Sequence, residues 1–223
     1  MSLGLFACGA CGAGWMVALA WRAPEGSIRV AARGLFGGLS AFLVAWGGYA
    51  LLEHGGMRVS WAEVSAGGGG GVALAAAIGL VEESAKLFGM SLASVGTRRG
   101  GNGLVIRIVL GVSASFATLE CATALRDADP MLLVLRSSLA PVAHAVLAAP
   151  LGLVLEGGVR GIRWALPALL LAAALHGAAD LSLATPAFGR LGYAAVLAAP
   201  AVFLHLHARF AGVRAARALG GTA

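Results

Sequence analysis

Along the chain, long uncharged apolar runs alternate with short polar segments. The runs cover about residues 3–21, 34–52, 68–95, 104–125, 131–155, 164–184 and 191–208. Each is long enough to cross a hydrocarbon core as a helix, which needs roughly 20 residues. The pattern predicts an all-α fold: a polytopic transmembrane helix bundle of seven spans, forming a single integral membrane domain over residues 1–223. Residues 22–33 and 53–63 read as polar connections, with Trp61 at the membrane interface and His54 in a loop. Five glycines, Gly67 to Gly71, open the third run. Such a stretch serves either backbone freedom or close helix contact, and the sequence leaves both open. Pro141 and Pro150 interrupt the fifth run.

The third run breaks the pattern. Val81-Glu82-Glu83-Ser84-Ala85-Lys86-Leu87 puts two carboxylates and the chain's one lysine into an otherwise uncharged stretch, residues 64–97. One charge at the centre of a spanning helix costs ~2.5–3.5 kcal/mol on insertion scales. Three together need partners and point to a function. Lys86 is within reach of Glu82 at i,i+4 and of Glu83 at i,i+3, yet the two carboxylates diverge by about 100° around the helix. One can pair with Lys86 while the other faces a cavity.

Composition strengthens the membrane reading. The chain of 223 residues is 59% hydrophobic and only 12% charged, against about 25% charged in soluble domains. The net charge of +6 works as a topology signal. Connections 1–2, 3–4 and 5–6 and the C-terminal tail hold ten arginines, against three (Arg58, Arg126, Arg190) on the opposite side. Positive charge stays inside, so the N-terminus is expected outside and the C-terminus in the cytoplasm, in the inner (plasma) membrane of a prokaryotic cell. The basic residues are not interleaved with aromatics, and nucleic acid is excluded as a partner. Cys8, Cys11 and Cys121 make no disulfide framework. Cys8-x-x-Cys11 lies in an apolar run and is expected to pack rather than react. No basic segment precedes that run, so it reads as an uncleaved first span.

Further ionisable residues fall in the next three runs: Glu120 in the fourth, His144 in the fifth, His176 and Asp180 in the sixth. At 1.5 Å per residue, Glu82 and His144 lie roughly 18–20 Å below the outer helix ends, and Glu120 and His176 roughly 10–12 Å. Four spans thus supply acids and imidazoles in one band of depth, the signature of a polar site inside a bundle. Phe116-x-x-x-Glu120 and His176-x-x-x-Asp180 each put their ends on one helix face. Asp180 either orients His176 or lies near the outer interface. His205 and His207 are expected at the cytoplasmic interface.

Glu82-Glu83-x-x-Lys86, then Phe116-x-x-x-Glu120, then His144 and His176 in successive spans resembles the PrsW family of intramembrane proteases. That family belongs to a wider group with the type II CAAX prenyl endopeptidases and a scaffold subunit of gamma-secretase. The resemblance covers about residues 75–185. It implies peptide-bond hydrolysis on membrane-anchored regulators, such as a single-span anti-sigma factor, with Glu82 and Glu83 as catalytic carboxylates and Lys86 as their cation. Glu120, His144 and His176 complete the implied site. Cys121 stands where family members often carry Asn, a departure that bears on whatever hydrogen bond the amide makes there.

The residues themselves support a glutamate-activated water assisted by histidines, or a zinc ion held by a set drawn from Glu83, Glu120, His144 and His176. No His-Glu-x-x-His motif is present, and the metal-free mechanism is equally consistent. Two other classes stay open. A proton-coupled transporter also buries carboxylates and histidines, although no internal repeat is evident. An inactive scaffold would retain the same polar site for assembly.

Overall fold

In a computed structural model of the chain, residues 10, 12–15, 27–97, 104–124, 130–157, 159–184, 189, 191–198 and 200–202 are described. Among them the fold is helical throughout, with no strand. The elements are α1 (Ser27–His54), α2 (Trp61–Ser65), α3 (Gly68–Ala93), α4 (Leu104–Ala124), α5 (Pro130–Leu147), α6 (Ala149–Glu156), α7 (Val159–Ile162) and α8 (Ala165–Ala184). Three helices are long and apolar enough to cross a membrane: Ile28–His54, Leu104–Thr123 and Ala165–Ala184. The bent pair Arg136–Leu147 and Ala149–Glu156 makes a fourth if taken as one span. Most of the expected run 3–21 and the end of the run 191–208 lie outside the described residues, and Leu191–Val202 is a shorter apolar helix.

Surface composition agrees with a lipid setting. Leu35, Phe36, Leu43 and Trp46 on α1 and Leu166, Leu170 and Leu171 on α8 are exposed, whereas Glu82, Glu83, Lys86, His144 and His176 are buried. Apolar outside and ionic inside is stable where the solvent is hydrocarbon.

α3 lies at the centre, packed between α1 and α8, and α1 also packs along α4. Small residues allow it. A Cβ on Gly89 would come within 2.2 Å of Gly37 O, so α1 and α3 cross backbone to backbone. The apolar core between α1, α3 and α4 is built on Ala41, Ala85, Met90, Ile108, Val112 and Phe116.

Several boundaries differ from the sequence reading. α1 starts at Ser27, inside the expected polar connection, and runs to His54, which is helical rather than in a loop. The early start has a use for Arg33: its guanidinium donates to Ala93 O (3.4 Å) and Val95 O (3.1 Å). It thereby satisfies carbonyls that the end of α3 leaves without helical partners. The expected polar connection 53–63 contains the start of α2, capped by the Ser60 hydroxyl accepting from Glu63 N (3.3 Å). The glycine run serves both uses, since four of its five residues open α3 and a Cβ on Gly71 would lie 2.8 Å from Val64 O. Gly67 and Gly68 have φ of +69° and +65°, a region that penalises any Cβ. The fifth run is broken, with a bend of 50° between its two helices. Pro150 opens α6, where a proline cannot donate to the preceding turn.

Candidate functional site

The site is built around the middle of α3. Glu82, Glu83 and Lys86 are at most 2% exposed, and the two carboxylates have separated into different environments. Glu83 Oε1 accepts from Lys86 Nζ at 2.7 Å and lies 2.7 Å from His176 Nδ1. The ammonium is covered on another side by the Phe116 ring, 4.7 Å from its centroid, a cation–π contact. Glu82 touches the same ammonium only at 3.4 Å, through Oε2, and lines a cavity instead.

His176 reaches Glu83 because α3 and α8 approach closely. A Cβ on Gly79 would lie 2.4 Å from Ala173 O, and one on Gly177 would lie 2.8 Å from Ala75 O. Any side chain at either position would push the helices apart. His144 sits in the last turn of α5 beside the break. Its Nε2 is 3.0 Å from Glu120 Oε2, and its ring lies 5.6 Å from Phe116 and 5.2 Å from His176, centroid to centroid.

With both imidazoles neutral, these contacts select the tautomers. His176 Nδ1 carries the proton that meets Glu83, and His144 Nε2 the one that meets Glu120. The remaining nitrogens, His176 Nε2 and His144 Nδ1, then present lone pairs toward Glu82 Oε2, at 3.4 and 3.8 Å. Glu82 Oε2 and His144 Nδ1 make no hydrogen bond to the described protein atoms. Three acceptors thus face one another in a buried space, an arrangement that calls for a proton donor or a cation at their centre.

Glu82, His144 and His176 are also the described residues that could hold a metal ion, with ligand atoms within 4.8 Å of one another. This set differs from the one expected from sequence. Glu82 takes the place of Glu83, whose Oε1 is occupied by Lys86 and His176, and Glu120 stands behind His144 rather than beside it. The donors suit zinc, which takes imidazole nitrogen and carboxylate oxygen at ~2.0–2.2 Å. Each histidine has a carboxylate on its other ring nitrogen, the support that metal-bound histidines usually have.

Asp180 Oδ2 is 3.8 Å from His176 Nε2, too far for a hydrogen bond. It lines the cavity with Glu82 and Glu120 instead. Cys121 is buried, next to Glu120 in sequence, and does not line the cavity.

One residue of the site escaped the sequence reading. The Tyr49 hydroxyl, from α1, donates a short hydrogen bond to Glu82 Oε1. With Oε1 held from that side, Oε2 is the oxygen turned toward the histidines. No family model, curated protein or solved structure matches the chain.

Proposed function

We propose that the protein is an intramembrane endopeptidase that hydrolyses peptide bonds of membrane-anchored proteins, with Glu82 as the general base. The observation that carries this reading is the convergence of Glu82 Oε2, His144 Nδ1 and His176 Nε2, three acceptors around a space suited to a water molecule. Glu82 Oε2 takes a proton from that water, and the water oxygen attacks the substrate carbonyl carbon. As the C–N bond breaks, the proton passes to the leaving amine, directly from Glu82 or through a histidine. Glu83 and Lys86 hold His176, and Glu120 holds His144. Tyr49 keeps the base in its working rotamer.

Zinc fits the same donors. Glu82, His144 and His176 would hold it, and it would acidify a bound water and polarise the carbonyl. Charge balance also suits a cation: Glu82, Glu83, Glu120 and Asp180 converge with Lys86 as the one lysine, and buried carboxylates need compensation.

The resemblance of the four motif-bearing segments to PrsW-type proteases supports the substrate class, a single-span regulator such as an anti-sigma factor. The arginine distribution supports seven spans with the N-terminus outside, in the inner membrane of a prokaryotic cell. The test is proteolysis of a single-span substrate by purified protein in liposomes. Cleavage that disappears with Glu82→Gln is the expected result, and no cleavage by the wild type overturns the reading. Chelation followed by zinc add-back divides the two mechanisms: activity that survives thorough metal removal excludes zinc.

A further inference from the structure

We infer that the cavity beside Glu82 is the specificity subsite of this centre: it takes a bulky uncharged side chain, aromatic or large aliphatic, next to the scissile bond and refuses Asp and Glu there. The inference rests on the endopeptidase reading and adds the substrate's side-chain class to it. The cavity has a volume of about 390 Å³, within the ~300–1,000 Å³ of ligand pockets. That is room for a large side chain together with the backbone on either side of it.

Its walls and floor differ in chemistry. Phe42, Trp46, Trp61, Val64, Ile78 and Phe116 make an apolar wall, and Glu82, Glu120 and Asp180 make an acidic floor. Among the described residues no lysine or arginine lines it. Arg136 lies over the Trp61 ring at 5.1 Å without joining the lining. A substrate carboxylate placed here would lose its water and meet three like charges, with no cation in the wall to receive it.

The floor argues for a peptide over a lipid tail. An extended peptide carries backbone N–H groups that Asp180 and the second oxygen of Glu120 can accept from, whereas an acyl chain offers them none. Much of the wall comes from α1 and α2. Those elements precede the four motif-bearing segments, so side-chain choice is built from different helices than the base and its histidines.

The experiment varies one residue at a time next to the cut site of a single-span substrate in liposomes. Phe, Leu or Met should be cleaved about 10-fold or more faster in kcat/KM than Ala, the worth of burying a large apolar side chain. Asp and Glu should not be cleaved. Ile78→Trp, which fills the cavity, should reverse the order of Phe and Ala substrates. Ile78→Ala, which enlarges it, should shift preference toward Trp. A misfolded variant would lower all rates together and could not reverse an order.

Occupancy is read separately from cleavage. In a Glu82→Gln background with Trp15, Trp21 and Trp164 replaced by Phe, a peptide bearing nitrophenylalanine at that position should quench Trp46 and Trp61 emission. The same peptide with Glu there, its nitrophenylalanine moved one residue along, should not bind. Selective quenching without cleavage by the wild type would sink the endopeptidase reading and keep the subsite. Cleavage indifferent to side chain, or equal quenching by the two peptides, overturns the subsite.

Discussion

Glu82 and Glu83 are neighbours in sequence and on one helix, yet they occupy two different regions. Glu83 belongs to a closed ionic cage with Lys86 and His176, shut by Phe116. Glu82 belongs to an open wall with Tyr49, Glu120 and Asp180, facing the cavity. The 100° between adjacent helical positions is enough to divide the pair: Glu83 is held through Oε1 by Lys86 and His176, and Glu82 lines the cavity. Burial alone therefore does not mark the reactive group: both acids are hidden and each keeps one oxygen without a hydrogen bond, and what separates them is that Glu82 lines the cavity with Oε2 facing the two histidine nitrogens.

The largest effect expected from breaking that contrast is on activity. Glu82→Gln keeps the shape and leaves Lys86 paired with Glu83, so the protein should insert and resist unfolding as the wild type does. Removal of the base should lower cleavage by ~10²–10⁴-fold. Glu83→Gln should lose cleavage and stability together, because it releases Lys86 and the His176 ring at once. Cleavage rates and unfolding in graded denaturing detergent, measured on both variants, separate the two roles. Equal loss of stability in the two would erase the distinction.

Next comes the cage itself. Lys86→Met removes the cation from among buried carboxylates, and breaking one side of such a pair costs about 3–5 kcal/mol. The double variant Lys86→Met with Glu83→Gln should recover part of that loss, since less uncompensated charge remains. A single variant as stable as the wild type would show that the ammonium is not what holds the cage.

Much of this was legible before any coordinates, for a physical reason. Apolar runs report helices because hydrocarbon forces every backbone group into internal hydrogen bonds, and charges inside such runs stand out. Glu82, Glu83, Lys86, Glu120, His144 and His176 were found that way, and their depth placed them in one band. The division of labour between the glutamates was not legible, because the i,i+3 and i,i+4 spacings to Lys86 are both feasible. Neither was the donor set for a metal, which depends on which carboxylate Lys86 claims. The start of α1 is not legible, because arginines in a sequence read as the end of an apolar helix. Arg33 instead reaches from α1 to the carbonyls at the end of α3.

Tyr49 shows the limit most clearly, and it carries the smallest of the expected effects. It is one of two tyrosines, stands in no motif and lies three residues before the end of the 34–52 run. Counting 1.5 Å per residue puts it well above the Glu82 band, since that arithmetic assumes straight parallel helices and ignores the reach of a phenol. A hydrogen bond to a charged group contributes about 1.5–3 kcal/mol, but Tyr49→Phe also leaves Oε1 able to find another donor in the cavity. The expected loss is therefore modest, about 10-fold in kcat with KM unchanged, because the residue sets the base rather than binding substrate. The infrared carboxylate band of Glu82, assigned by its disappearance in Glu82→Gln, should shift in Tyr49→Phe whether or not any substrate is cut. A band that stays in place would mean that the hydroxyl does not reach Oε1 in the membrane, and the open wall would then lose its one contact from α1 to the base.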